Sequence, residues 1–353
     1  MNESEIRDIM AGEGGRWGAF VRPWLWLGSK VYSDVLRYRR WNYNKGLYKS
    51  HAVDAPVICV GNITTGGTGK TPMVAWVARQ LQQIGRTPAI VTRGYKARGG
   101  KSDEAEMLDA LCDCAIVVNA NRVAGARTAI VAGADAVILD DGFQHRHLRR
   151  DLDIVLIDAL NPFGYDHVLP RGLLREPLSA LKDAHAVIIT RSDLIECEPL
   201  ADLRQRLEQL APQASLHLAV HRPIGGIDET GGEVELAALT GQPALAFCGL
   251  GNPEAFFATL RQIGAKVVSR IDFDDHVEYT PELAQKINAQ AHQHDAEILL
   301  TTQKDAVKLG GLQFDRPLRQ LVVTIEIVDG EPALLERIGE VASPPEAAAD
   351  DEA

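Results

Sequence analysis

Gly61-Asn62-Ile63-Thr64-Thr65-Gly66-Gly67-Thr68-Gly69-Lys70-Thr71 is the stretch that decides the fold. It follows a short apolar run, Val57-Ile58-Cys59-Val60, and precedes a helical stretch from Lys70 to about Ile84 that ends at Gly85. A strand, a glycine-rich turn and a helix in that order make a cradle for phosphate. Consecutive backbone N–H groups converge there, and the helix N-terminus adds partial positive charge. Lys70 can reach the β- and γ-phosphates, and the Thr71 hydroxyl can ligate Mg²⁺. The spacing departs from the strict G-x-x-x-x-G-K-[ST] form: its first glycine falls on Thr64, and Gly66 and Gly67 supply the flexibility two residues later. Thr64, Thr65, Gly66, Gly67, Thr68, Gly69, Lys70 and Thr71 are therefore the expected nucleotide contacts. The loop implies a nucleoside triphosphate without choosing among hydrolase, switch and kinase.

Outward from the loop, short apolar runs alternate with helical segments. Residues 89–92, 115–118, 136–139, 154–157 and 186–190 read as strands, with helices such as 122–132 between some of them. That alternation indicates an α/β fold of the P-loop NTPase type, a mostly parallel sheet covered on both faces by helices. A looser, glycine-containing stretch around Pro223 to Gly232 precedes a second set: strands at 244–248, 266–269, 298–301 and 321–325, with helices at 253–263 and 280–291. The expected organisation is an N-terminal helical segment (1–50), a P-loop domain (51–225), a smaller α/β domain completing the cleft (226–342) and a fraying tail (343–353).

Composition narrows the class. The chain has 353 residues, 46% apolar and 24% charged, as in ordinary globular proteins, which excludes a fibrous or disordered chain. Its net charge of −11 makes nucleic acid a poor default partner. Five cysteines, odd in number and irregular in spacing, read as reduced thiols of a cytosolic protein rather than a disulfide framework. No leader-like apolar run opens the chain, and no stretch approaches the roughly 20 apolar residues that span a bilayer.

Charge is nonetheless uneven. From Arg16 to Ser50 eight Lys/Arg stand against one acid, Asp34, and Trp17, Trp24, Trp26 and Trp41 fall in the same segment. Pro23 suits a first helical turn. Trp24, Leu27, Val31, Val35 and Tyr38 then recur at helical spacing and form one apolar stripe. Two readings are open: a basic amphipathic helix lying in a membrane interface, or a helix packed on its own domain with its basic side in water.

Acids mark the rest of the chemistry. Ala136 to Leu139 ends in Asp140-Asp141, where P-loop proteins place a carboxylate on Mg²⁺; Asp140 is the expected ligand, with Asp141 assisting or capping the turn. Phe143-Gln144-His145-Arg146-His147 follows, better suited to substrate or phosphate contact than to a metal. Ser102-Asp103-Glu104 opens a helical stretch, either as an ordinary cap with acids in the first turn or as the source of a base for a hydroxyl acceptor. Phe273-Asp274-Asp275-His276 pairs an acid with a histidine, a tuned proton carrier or a plain surface residue.

In this order, these stretches resemble the tetraacyldisaccharide 4'-kinase (lipid A 4'-kinase) family, from about Trp24 to about Leu309. The resemblance rests on the loop through Pro72, Thr92 to Tyr95, Asp103-Glu104 and Asp140 to Arg146. It continues in Asn161 to Gly164, Leu169 to Pro177, Phe247 to Pro253, Phe273 to His276 and Thr301 to Leu309. It implies transfer of the ATP γ-phosphate to the 4'-hydroxyl of a lipid disaccharide 1-phosphate, with Mg²⁺, by a peripheral protein at the cytoplasmic face of the inner membrane. It favours the membrane reading of the N-terminal helix and implies no obligatory protein partner.

It also implies roles. Asp103 matches the base, with His276 as partner and Asp275 beside it. Glu104, Asp140 and Asp141 match acids near the metal. Arg171 matches a nucleotide contact, and Arg175, Glu176, Tyr95, Gln144 and His145 fall on the substrate side. Two departures stand out: Ser102 where the family has Gly, and Gln303 where it has Glu, so Gln303 is given no catalytic task. A P-loop GTPase would need a guanine-reading Asn-Lys-x-Asp motif, which Thr190-Arg191-Ser192-Asp193 does not supply. A non-catalytic nucleotide-binding adaptor would leave Asp103, His276 and Asp140-Asp141 without work.

Overall fold

A computed structural model of the chain describes residues 3–94, 103–275 and 277–343; of residues 3, 4, 103 and 104 it describes the backbone only. Two helices open it, α1 (Glu3–Ala11) and α2 (Gly15–Asn44). The loop-bearing half follows: β1 (Val57–Asn62), α3 (Lys70–Gln83), β2 (Pro88–Thr92), α4 (Asp103–Leu111), β3 (Ala115–Val118), α5 (Arg122–Val131), β4 (Ala136–Asp140), β5 (Leu152–Asp158), β6 (Ala186–Thr190) and α6 (Cys197–Leu210). A long strand, β7 (Ser215–Asp228), leads to β8 (Glu233–Val234), α7 (Leu236–Thr240), β9 (Ala244–Cys248), α8 (Pro253–Gln262) and β10 (Val267–Asp272). The chain then runs through α9 (Pro281–Gln293), β11 (Ile298–Thr302), α10 (Gln303–Ala306), β12 (Leu318–Asp329) and α11 (Glu331–Ala342).

All strands lie in one sheet, ordered β10-β9-β11-β12-β7-β6-β5-β1-β4-β2-β3, with β8 paired to β7. Apart from β7–β12 and β7–β8, every pairing is parallel. The strand pleat explains why the apolar runs are unbroken. Val57 and Cys59 feed the core on one face, with Val137, Leu139, Val155 and Ile157. Ile58 and Val60 feed the other, with Ile138, Ile154 and Leu156, beneath α3. A strand buried on both faces has no polar side to alternate with.

The two halves meet along β7 and β12, antiparallel from Arg319↔Asp228 to Asp329↔Leu218. The stretch expected to be a looser connection around Pro223 to Gly232 is thus largely strand, and the 225/226 division falls inside β7. The register slips between Val322 and Val323, so Ile224 has no partner and stands 62% exposed. A bulge of this kind accommodates Pro223, which cannot donate to a ladder.

Helix α2 begins at Gly15, so Pro23 lies inside it rather than in its first turn. The ring removes one backbone donor without ending the helix. At 1.5 Å per residue the 30-residue helix is about 45 Å long. Its expected apolar stripe does not face the body. Trp17, Phe20, Trp24, Leu27, Val31, Val35 and Tyr38 are all exposed, Trp24 at 67%. The opposite side docks. Ser29 Oγ donates to the Val168 carbonyl at 2.7 Å and accepts from the Arg171 N–H at 2.9 Å. Tyr32 donates to the Arg175 carbonyl, Arg39 to that of Gln144, and Arg40 pairs with Asp183 at 2.7 Å. The helix is thus packed on its own domain, as one of the two readings has it, but by its polar side, with Arg39 and Arg40 turned inward and the apolar stripe outward.

Candidate active site

The phosphate loop is braced from below. Asn62, the last residue of β1, donates from Nδ2 to Thr68 Oγ1 at 3.0 Å. Thr190 Oγ1 donates to the Thr68 carbonyl at 3.0 Å, and Arg191 Nη2 to the Gly67 carbonyl at 2.8 Å. With these carbonyls tied outward, the upper side of the loop is bare. A Cβ added at Gly66 or Gly67 would meet nothing within 4 Å. Gly69 is in the left-handed region, φ +89°, and turns the chain into α3, whose first N–H groups have no intrahelical acceptor. The loop has the room and the donors that a polyphosphate requires.

One lip of the cleft carries charge. Asp141 lies 3.6 Å from Lys70 Nζ and 2.8 Å from Arg175 Nη1. Burial pushes its carboxyl up, but the two cations outweigh burial and hold it below the usual carboxylate range. Its Oδ1 is sealed from solvent and has no hydrogen-bond partner. Asp141 sits at φ +49°, and a Cβ on the next residue, Gly142, would come within 2.3 Å of Leu139. That tight turn after β4 is what aims Asp141 at the loop.

The other lip comes from the second half of the sheet. Asp275 Oδ1 accepts from Lys304 Nζ at 2.7 Å. Leu250, Phe256, Leu321 and Val323 form an apolar wall, and Gln303 and Thr302 stand beside it. Asp305, fully buried, accepts from Thr302 Oγ1 and from the Gly249 N–H and so fixes both turns.

The expected residues fall into four groups. Gly66, Gly67, Thr68, Gly69, Lys70, Thr71, Asp141, Arg175 and Asp275 line one cleft. Thr64 and Thr65 lie at the start of the loop, where the Thr65 N–H donates to the Leu173 carbonyl at 2.7 Å. Tyr95 and His276 lie outside the described residues, as do the side chains of Asp103 and Glu104. The backbone of Asp103 opens α4, and Met107 of that helix lines the cleft.

Others lie elsewhere than expected. Asp140 is 5% exposed and accepts from Thr92 Oγ1 at 3.1 Å, so Asp141, not Asp140, is the acid at Lys70. Gln144 donates to the Asn62 carbonyl at 2.6 Å and acts as a brace under the loop. Burial, with the charges of Arg122 and His147 behind it, pushes the His145 imidazole down to about 4. Glu176 is buried beside Arg146, Arg39 and Arg40, with burial raising its carboxyl. Arg171 is turned away from the nucleotide cleft altogether, donating to the Met10 carbonyl of α1 at 2.6 Å.

Sequence reading missed Asp158, Arg191, His221 and Asn252. His221 Nε2 would lie 2.5 Å from a Cβ on Gly69 and has no hydrogen-bond partner; burial, then the charge of Arg191, pushes its imidazole down to about 3. Asp158 and Arg191 end two apolar strand runs at the same edge as the loop, and that position was the available signal.

Residues 21–342 match the family model described as tetraacyldisaccharide-1-P 4'-kinase, LpxK. The chain belongs to this family. A tetraacyldisaccharide 4'-kinase of Halothermothrix orenii is 37% identical over 310 residues, covering 79% of this chain and 80% of its own. One from Syntrophotalea carbinolica is 35% identical over 88% of both chains, and one from Anaeromyxobacter sp. strain K is 36% identical over 91% of this chain and 90% of its own. The crystal structure of LpxK from Aquifex aeolicus in complex with ATP superposes with a TM-score of 0.72 at 28% identity, covering 92% of this chain and all of that one. The match runs from within α2 to the end of α11, so both lips of the cleft belong to the kinase.

Proposed function

We propose that the chain transfers the γ-phosphate of ATP to the 4'-hydroxyl of tetraacyldisaccharide 1-phosphate, forming lipid IVA at the cytoplasmic face of the inner membrane. The observation that carries this reading is the pair of lips: Lys70, Asp141 and Arg175 face Asp275 and Lys304 across an open glycine floor. Lys70 and Arg175 balance the charge of the transferring group, and the loop N–H groups fix its oxygens.

Mg²⁺, where bound, would supply neutralisation of the phosphate charge. The residues present suit it. Thr71 offers a hydroxyl and Asp141 a carboxylate oxygen, Oδ1, that faces Lys70 at 3.6 Å without a hydrogen bond, both hard donors at the loop. Mg²⁺ shared with phosphates needs only one or two protein ligands. Glu104 and Asp140 are the supporting acids in this reading.

In this reading Asp103 accepts the proton of the attacking hydroxyl, and His276 and Asp275 are its partners in that step. The position of Met107 supports this, because it brings the first turn of α4 within reach of the cleft. Approach of the two lips would exclude water, the competing acceptor.

The acceptor carries acyl chains, which favours a protein that works at a lipid surface. Among the described residues no helix is long and apolar enough to cross a membrane. The exposed aromatic and aliphatic face of α2, flanked by the exposed Arg16, Lys30 and Arg37, suits one that lies in the interface. The test is transfer from γ-labelled ATP to tetraacyldisaccharide 1-phosphate in micelles, with Lys70→Ala as control. Labelled lipid that disappears in the control supports the assignment. Free phosphate without labelled lipid overturns it.

A further inference from the structure

Phe247 to Pro253 carries part of the family resemblance, yet no task has been given to its last turn. In the structure that turn crosses from the second half of the sheet and touches the phosphate loop. Asn252 Nδ2 donates to Asp158 Oδ2 at 3.0 Å. The same oxygen accepts from Arg191 Nη1 at 2.6 Å, while Arg191 Nη2 holds the Gly67 carbonyl. Asp158 Oδ1 accepts from the Leu160 N–H, so the carboxylate, 6% exposed, is fully engaged. One residue earlier, Gly251 is a spacer. A Cβ there would stand 3.0 Å from Gly66 Cα and 3.1 Å from Asp275 Oδ2. The turn thus lies between the loop that holds phosphate and the acid of the opposite lip.

We propose that Asn252 is a positioning residue, latching the 249–252 turn onto the phosphate loop through the Asp158 carboxylate it shares with Arg191, so that Asp275 is held in register with the transferring phosphate. The inference deepens the kinase reading and rests on it. The Arg191–Asp158 pair lies wholly in the first half and shapes the loop. Of the bonds to Asp158, the Asn252 bond is the one that crosses; Gln262 to Asp193, at the far end of α8, keeps the halves together, so loss of the Asn252 bond loosens the 249–252 turn while the loop keeps its form. A hydrogen bond to a charged group, in a buried setting, is strong enough to matter for turnover.

Asn252→Ala is measured for lipid phosphorylation and for ATP hydrolysis without lipid. The expected result is a kcat for transfer lowered roughly tenfold or more, an ATP KM within about threefold of wild type, and a raised ratio of hydrolysis to transfer. Asn252→Asp provides a second readout. At neutral pH its new carboxyl repels Asp158. Protonated at lower pH, it donates to Asp158 and restores the latch, so its activity relative to wild type rises as pH falls from 8 to 6. The inference is overturned by an Asn252→Ala kcat within twofold of wild type, by equal losses in kcat and ATP affinity, or by an Asn252→Asp pH profile parallel to wild type. Wild type run alongside separates the two claims: no labelled lipid from wild type overturns the assigned reaction, whereas normal wild-type transfer with an indifferent Asn252 overturns only the latch.

Discussion

Arg175 reaches Asp141 at 2.8 Å, on the same carboxylate that Lys70 approaches at 3.6 Å. Two cations on one acid keep the phosphate lip organised before any phosphate arrives, and arrival must share them. Asp141→Ala should therefore lower kcat by about 10- to 100-fold and raise the Mg²⁺ concentration at half-maximal rate, with ATP KM changing less. A Mg²⁺ titration of turnover checks it. An unchanged Mg²⁺ requirement would reduce Asp141 to a tether for Lys70 and Arg175.

The two depressed histidines make stability fall on the acid side. His145 sits near 4 and His221 near 3, both below the ordinary value of 6.5, so between these limits the unfolded chain binds protons that the folded chain refuses. Stability is then highest above pH 6.5 and falls as pH drops toward 5, by on the order of 1–2 kcal/mol for the buried His221 and by less for the half-buried His145, whose charge solvent screens. Thermal melts across that range should show a shallower decline for His145→Gln than for wild type. Parallel curves would mean that His145 gains solvent or a partner on protonation.

Ser29 is the pin of α2. It bonds the Val168 carbonyl and the Arg171 N–H together, and both lose a partner in Ser29→Ala. The Arg171 N–H keeps its bond to the Val168 carbonyl at 3.2 Å, so neither group is left unpaired, and the loss is about 1 kcal/mol per Ser29 hydrogen bond, felt in the docking of the helix. Limited proteolysis should cut α2 faster in the variant, with the melting of the remainder nearly unmoved. A global drop in Tm with unchanged cleavage would place the cost in the main core instead.

The exposed face of α2 predicts lipid binding that can be separated from chemistry. Replacing Trp17 and Trp24 with Ser should weaken partition onto anionic vesicles by roughly tenfold per residue, through the loss of interfacial burial. Transfer to substrate dispersed in excess detergent should stay within a few-fold of wild type. Vesicle flotation reads the first quantity and labelled transfer the second; unchanged flotation would remove α2 from the membrane-binding surface.

Much of this was legible locally. The strand, loop and helix around Lys70 are contiguous, and the apolar run before Asp140-Asp141 places a strand end beside them. What failed was direction and distance. Arg171 and Arg175 stand four residues apart and read alike, yet one turns to α1 and the other to the cleft; a charge in a sequence carries no orientation. The β7–β12 ribbon pairs Leu218 with Asp329, far apart in the chain, and its Pro223 and Gly225-Gly226 look like a loop until the bulge is seen. The stripe on α2 was correctly located, but its outward face could be known only once the polar side was seen to dock. Asn252 and Asp158 were invisible as a pair because they come from different halves of the sheet.

Helix α2 is bolted along one flank, at Ser29, Tyr32, Arg39 and Arg40, and not swung on a flexible leash. Any flat oily plane that takes up its free flank must also take up the heading of the whole body, as a keel sets the attitude of a hull. The mouth of the cleft would then keep a fixed height and bearing over that plane. The search for an acceptor would become a glide in two dimensions in place of a tumble in three.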